Sequence, residues 1–338
     1  MSSTEPTIKK NTSYILAGDV GGTKTILGLF VAGKKRPLAR WIKTFSSQDE
    51  DNLEDMVKQM LHQYPAKITS ACFGVAGPVL DGRVQTTNLP WVVSEEKLSR
   101  QFGWERVRLI NDLSATAMAV PLLEPREVFC INHVPTRKPG NIGLVAPGTG
   151  FGEAMLIRLE EFYVPIASEG GHGDFAPSCD KELDLWRYLH EIFGHVSVER
   201  VISGPGLVNI YNWLKSRATL PETPEVREAM QSSDAAKVIT HYAIEGNDPL
   251  CKRALRHFCR ILGSVAGNLA LTGMTTGGMF LGGGIPVKIL PALQQGDFIE
   301  AFYAKGRIAS LMRKIPVRVI RNEQAALLGA AQQGLLLR

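Results

Sequence analysis

Asp19, Gly21, Gly22 and Thr23 stand between two apolar runs, and residues of those types at that spacing can hold a phosphate. Residues 14–17 are strand-like and lead into the Asp and the glycines, and residues 25–31 leave with strand-like alternation. Such a hairpin tip offers backbone amides and a hydroxyl to phosphate oxygens, because glycine permits close backbone approach. It is not a P-loop, since no Gly-x-x-x-x-Gly-Lys-Ser/Thr occurs. Gly-Gly is also a preferred pair for plain tight hairpins, so the motif alone reads first as an ordinary turn.

Other residues widen the possibilities. Phosphoryl transfer needs phosphate positioning, a metal, and a group that takes the proton of the attacking hydroxyl. Asp19 is the candidate Mg²⁺ residue, directly or through water, because Mg²⁺ usually keeps several waters and takes few protein carboxylates. Gly148, Thr149 and Gly150 form a second Gly/Thr tip after an apolar run, and Gly282, Gly283 and Gly284 leave room for a flat nucleoside beside the backbone. Asp112 falls where a strand gives way to a helix, a place where α/β proteins gather functional groups. It is the candidate base, with a helix N-cap as the plain alternative. Glu169-Gly-Gly-His172-Gly-Asp174 could grip sugar hydroxyls or a metal, or be an exposed turn; only Cys179 lies near it and no regular zinc spacing appears. Glu199, before Arg200, reads by default as a helix-surface residue.

The elements that must position these residues alternate strand and helix, which predicts an α/β layer structure. Strands are expected at 14 to about 40, 68–75, 107–110, 143–146, 151–157, 162–166, 278–281 and 317–320. Helices are expected at 51–64, 95–102, directly after Asp112, through most of 181–272, and at 323–337. Pro121 and Pro125 mark a plausible domain crossing. The expected division is a tail over 1–13, a small α/β domain over 14–122 completed by a helix at 321–338, and a large α/β domain over 123–320. The two Gly/Thr tips form an internal echo: two related domains could grip one polyphosphate.

Composition removes several classes. A chain of 338 residues with 44% hydrophobic and 21% charged residues suits a soluble globular protein of about two domains. Net charge is +5 without a dense basic block, so nucleic-acid binding is not indicated, and Lys34-Lys35-Arg36 reads as a solvated tip. Five scattered cysteines without Cys-x-x-Cys suit reduced thiols. The polar start has no signal-peptide core, and no apolar run approaches the ~20 residues of a membrane span. A cytoplasmic location is the default expectation. The Gly148–Gly152 pattern also suggests a dinucleotide fingerprint, but that motif should open a helix, and residues 153–159 read as strand.

These segments in this order resemble the bacterial glucokinase family, within the sugar kinase–actin–heat-shock ATPase superfamily. The resemblance is carried by Gly18-Asp19-Val20-Gly21-Gly22-Thr23, Thr87-Asn88-Leu89-Pro90-Trp91, Leu109-Ile110-Asn111-Asp112 and Pro147-Gly148-Thr149-Gly150-Phe151-Gly152. It continues through the segments at 169–177, 194–206 and 277–285. It implies a two-domain actin-like ATPase (ribonuclease-H-like) α/β fold with an interdomain cleft that closes on the sugar. It also implies ATP-dependent phosphorylation of D-glucose at O6, the first step of glycolysis. Asp112 would be the general base; Asn88, Asn111, Glu169, His172 and Glu199 would bind sugar hydroxyls with it. Gly18, Asp19, Val20, Gly21, Gly22 and Thr23 would be the ATP phosphate loop. The implied cofactors are ATP and Mg²⁺ without zinc, and the partners are glucose and ATP, with no nucleic acid or membrane and a homodimer as a candidate assembly. Two departures from the related repressor/open-reading-frame/kinase group argue against zinc and DNA: Cys179 stands alone where that group has a Cys-rich segment, and only about a dozen residues precede the first strand. The alternatives are a sugar- and nucleotide-responsive regulator without catalysis, or a kinase of another hexose.

Overall fold

The computed structural model describes residues 12–86, 89–135, 139–218 and 220–337. They fall into two compact units: one runs through Glu124 and takes back the segment from Asn322, and the other is Pro125–Arg321.

The first unit is built on β1 (Ser13–Val20), β2 (Lys24–Val31), β3 (Leu38–Ser46), β4 (Lys67–Val75) and β7 (Val107–Asn111), in the order β3-β2-β1-β4-β7. β1, β2 and β3 form an antiparallel meander, while β4 and β7 run parallel to β1. A two-stranded ribbon, β5 (Arg83–Gln85) with β6 (Val92–Ser94), follows β4 in the chain. The helices are α1 (Leu53–Gln63), α2 (Glu95–Phe102), α3 (Asp112–Ala119) and the C-terminal helix Ala325–Leu336.

Period-two alternation in β1 sends neighbouring side chains to opposite faces. Tyr14 and Leu16 join a core with Met56, Met60, Phe73 and Leu98. Ile15 and Ala17 join another with Ala115, Leu327, Ala330 and Ala331. A sheet covered on both faces explains why β1 and β2 read as nearly continuous apolar runs. The C-terminal helix is pinned to β4 by the Ser70 hydroxyl, which donates to Gly334 O at 2.7 Å.

The second unit has β8 (Val128–Cys130), β9 (Ile142–Pro147), β10 (Phe151–Leu159), β11 (Phe162–Ser168), β12 (Gly278–Leu281) and β13 (Val317–Ile320), in the order β11-β10-β9-β12-β13-β8. β9, β10 and β11 are an antiparallel meander, and β12 and β13 continue parallel to β9. Its first five strands therefore repeat the order and directions of the first unit's sheet, with β8 added antiparallel at the edge. The echo of the two Gly/Thr tips is thus an echo of topology: each joins the first two strands of its antiparallel meander.

The second unit's longer helices are α4 (Asp180–Phe193), α5 (Gly204–Ser216), α6 (Pro224–Ser232), α7 (Ala235–Ile244) and α8 (Pro249–Thr272). α8 lies at the centre of the core, with Phe258, Ile261 and Leu262 fully buried. It starts where Asp248 Oδ1 accepts the Cys251 N–H at 2.8 Å and Pro249 opens the first turn, a cap worth about 1 kcal/mol. No helix among the described residues is long and apolar enough to cross a membrane.

Three local differences from expectation have physical causes. β3 runs on to Ser46, because Trp41 and Phe45 keep packing inward past Arg40. The ribbon β5–β6, the edge strand β8 and the short helices between 284 and 312 are too brief to show a period. Lys34 and Lys35 are exposed, but Arg36 is no solvated tip: it pairs with Glu124 at 3.4 Å and donates to Leu122 O at 3.4 Å.

Candidate active site

In the first unit the β1–β2 tip is Gly21–Thr23. Gly21 N–H donates to Lys24 O at 3.1 Å, closing the hairpin. Gly18 and Val20 lie inside β1 and are buried; a Cβ on Gly18 would come 2.4 Å from the Phe73 ring, so this glycine makes room for packing. Asp19, the next-to-last residue of β1, lies beside Gly74 of β4, and Gly74 in turn sits beside Ile110 of β7. A Cβ on Gly74 would come 2.9 Å from Ala115 Cβ and 3.6 Å from Asp112 Cα. The missing side chain at 74 is what lets the start of α3 approach the end of β1.

Asn111 and Asp112 divide the two roles that the strand-to-helix junction offered. Asn111 is the N-cap: its Oδ1 accepts from Leu113 N at 3.0 Å and Ser114 N at 3.2 Å, and its Nδ2 donates to Gly77 O at 3.3 Å. Asp112 is the first helical residue, half-buried, with Oδ1 accepting the Leu113 N–H at 2.8 Å. The capping alternative therefore applies to Asn111. The Asp19 carboxyl is pushed up to about 6, first by burial and then by the negative charge of Asp112, while Lys24 pulls it down. Two carboxylates in one partly desolvated place fit a divalent cation that relieves their repulsion and retains its waters.

In the second unit the β9–β10 tip is closed by Gly148 N–H to Gly150 O at 2.8 Å, and Gly204 N–H, at the start of α5, donates to Gly148 O at 2.9 Å. β10 follows directly as a strand, so the dinucleotide fingerprint fails. Gly283 has φ +80°, and a Cβ there would come 2.6 Å from Pro147 O; at Gly284 a Cβ would meet open space. The third glycine cluster is thus packed against the base of the second tip.

The polar cluster at 169–174 adjoins the same tip. Gly171 leaves no room for a methyl, since a Cβ would lie 2.0 Å from Phe151 O. Val198 N–H donates to Gly173 O at 2.9 Å, which joins this turn to the turn carrying Glu199. Glu169 and His172 remain exposed, with their carboxylate and ring nitrogen 4.0 Å apart. Glu199 is more than a surface residue: its Oε2 accepts the Phe151 N–H at 2.8 Å. Glu169, His172, Glu199 and the tip at Gly148, Thr149 and Gly150 therefore form one group. Asn88 lies outside the described residues.

Sequence reasoning passed over Gly74, Ser47 and Glu153. Glu153 sits on β10, and a Cβ on Gly170 would come 2.4 Å from its Oε2. Burial raises its carboxyl above the ordinary range. A lone carboxylate in a half-apolar strand just past a glycine tip was the available signal.

Two units that share one five-strand topology, each with a glycine hairpin tip between the first two strands of its meander, define the actin-like ATPase fold, and the carboxylates and polar turns beside those tips suit its sugar-kinase branch. The chain belongs to the glucokinase family, whose family model, Glucokinase, matches residues 16–335. It is 37% identical over 320 residues to glucokinase of Yersinia pestis (strain Pestoides F), covering 94% of this chain and 95% of the relative. The crystal structure of glucokinase from an Antarctic psychrotroph superposes with TM-score 0.86 at 32% identity, over 96% of this chain and 99% of that one. A ROK family glucokinase from Streptomyces griseus, solved with glucose and AMPPNP, shares the fold with TM-score 0.61 at 21% identity, over 96% and 99% of the two chains.

Proposed function

We propose that this chain transfers the γ-phosphoryl group of ATP to O6 of D-glucose, giving glucose 6-phosphate and ADP. Membership of the glucokinase family supports the reaction. The observation that carries the mechanism is Asp112, placed at the head of α3 with its capping duty taken by Asn111.

In this reading the Asp112 carboxylate accepts the O6 proton as O6 bonds to the γ-phosphorus and the bond from that phosphorus to the bridging oxygen of ADP breaks. A positioned base is worth ~10² to 10⁴ in rate. Gly21, Gly22 and Thr23 hold phosphate oxygens, and Gly148, Thr149 and Gly150 are assigned to the same task. Gly284, open on its Cβ side, leaves space beside the backbone for the nucleoside. Glu169, His172 and Glu199 take sugar hydroxyls, with Asn88 and Asn111 assigned to the same set. Polar groups that demand hydroxyls can reject an analogue lacking one by ~10⁴. Asp19 would hold Mg²⁺, which when bound offsets the phosphate charge. Assembly as a homodimer stands as an expectation that sedimentation of the purified chain decides.

A panel of hexoses assayed against ATP, ADP and polyphosphate by coupled detection of the products tests the reading. Turnover with glucose and ATP is expected to exceed the others; no phosphorylated hexose from any pair would overturn it.

A further inference from the structure

We propose that Ser47 is a positioning residue for the ATP phosphates, fixing the Gly21–Thr23 tip from its inner side. The inference rests on the reading of that tip as the nucleotide's phosphate loop. Ser47 directly follows β3, opens the short helical turn Ser47–Asp49, and is fully buried. Its backbone N–H donates to Thr23 O at 2.9 Å, and its hydroxyl donates to Gly21 O at 2.7 Å. The first and last residues of the tip are therefore tied to one side chain and its own peptide.

A second hydroxyl completes the arrangement. Thr25 Oγ1, also fully buried, lies 2.8 Å from Ser47 Oγ. A hydroxyl has a single proton to give. Ser47 spends its proton on Gly21 O, so Thr25 is the donor to Ser47. The result is a directed chain from the Thr25 hydroxyl through the Ser47 hydroxyl to the Gly21 carbonyl.

The consequence for phosphate follows from peptide geometry. In a planar trans peptide the C=O and the next residue's N–H point to opposite sides. Holding Gly21 C=O toward Ser47 turns the Gly22 N–H away from it, to the outer side of the tip. Glycine at 21 and 22 leaves this peptide free to rotate, so an external restraint is needed if the amide is to be aimed before ATP arrives.

The test is initial-rate kinetics on the full chain with Mg²⁺, varying ATP and glucose separately. Ser47→Ala should raise KM for ATP about tenfold or more and leave KM for glucose within about twofold. Thr25→Val removes only the outer donor and should raise KM for ATP about two- to fivefold, while Thr25→Ser restores it. Equal changes in both KM values, or a lower Tm with both unchanged, would make Ser47 merely structural and overturn the proposal. If Ser47→Ala fails to fold, Thr25→Val decides alone: an unchanged KM for ATP overturns the proposal. Gly22→Val, in the tip itself, separates the two readings. If it leaves KM for ATP unchanged the phosphate-loop assignment fails; if it raises KM while Ser47→Ala does not, only the role of Ser47 fails.

Discussion

Glu199 and Phe151 are joined by a hydrogen bond from the Phe151 N–H to Glu199 Oε2, 2.8 Å long. The same oxygen would lie 2.6 Å from a Cβ on Gly150, so one carboxylate is packed on the end of the second glycine tip. A residue assigned to the sugar thereby also holds a segment assigned to the nucleotide.

Glu199→Ala should therefore raise KM for both glucose and ATP. Glu199→Gln retains an acceptor for the Phe151 N–H, and should act mainly on glucose. Losing a hydrogen bond to a charged group costs ~1.5–3 kcal/mol, so glucose affinity should fall roughly ten- to a hundredfold. Steady-state kinetics on both substrates checks the split; an Ala variant affecting glucose alone would show that the contact to Phe151 carries no load.

Asp19 should be a stability cost retained for function. Its carboxyl is raised from 3.8 to about 6, chiefly by burial and then by Asp112. The folded state thus binds the proton more tightly than the unfolded chain, so stability is highest below the unfolded pKa and declines as pH rises through the folded value. A shift of about two units corresponds to ~3 kcal/mol at most. Without Mg²⁺, Asp19→Asn should be more stable than the parent at pH 7.5 by roughly 1–3 kcal/mol and close to it near pH 4, and with Mg²⁺, ATP and glucose supplied it should be inactive. Urea unfolding across that pH range measures it, and an unchanged or lower stability at pH 7.5 would refute the assignment.

Gly329 sets how closely the C-terminal helix packs on α3. A Cβ there would lie 1.7 Å from Ala115 O, a backbone atom that cannot swing aside. Alanine gains about 1 kcal/mol of helix propensity over glycine, but overpacking costs about 1–3 kcal/mol or more. The clash should win: Gly329→Ala should lower Tm by several degrees and lower kcat, because α3 begins at Asp112. A variant with raised Tm and normal kcat would contradict this.

The larger elements were legible because their periods were long enough to read. α2 was expected at 95–102 and spans Glu95–Phe102; β13 was expected at 317–320 and spans Val317–Ile320. Both glycine tips were visible as Gly/Thr breaks between apolar runs. What stayed hidden depends on tertiary contact. Asn111 and Asp112 are both plausible caps, and only the hydrogen bonds show which one caps. Gly74 is an ordinary strand glycine until β1 and α3 flank it. Glu199 looked like a surface residue because its partner, the Phe151 amide, is 48 positions away. The order of the segments, more than any single motif, carried the functional reading.

The most direct measurement is the turnover of Asp112→Asn with saturating glucose and ATP. Asparagine keeps an acceptor for the Leu113 N–H, so α3 should still start normally. With Asp112 as the base, kcat should fall by ~10² to 10⁴ while KM for glucose changes by less than about fivefold. A kcat within about threefold of the parent would contradict the assignment.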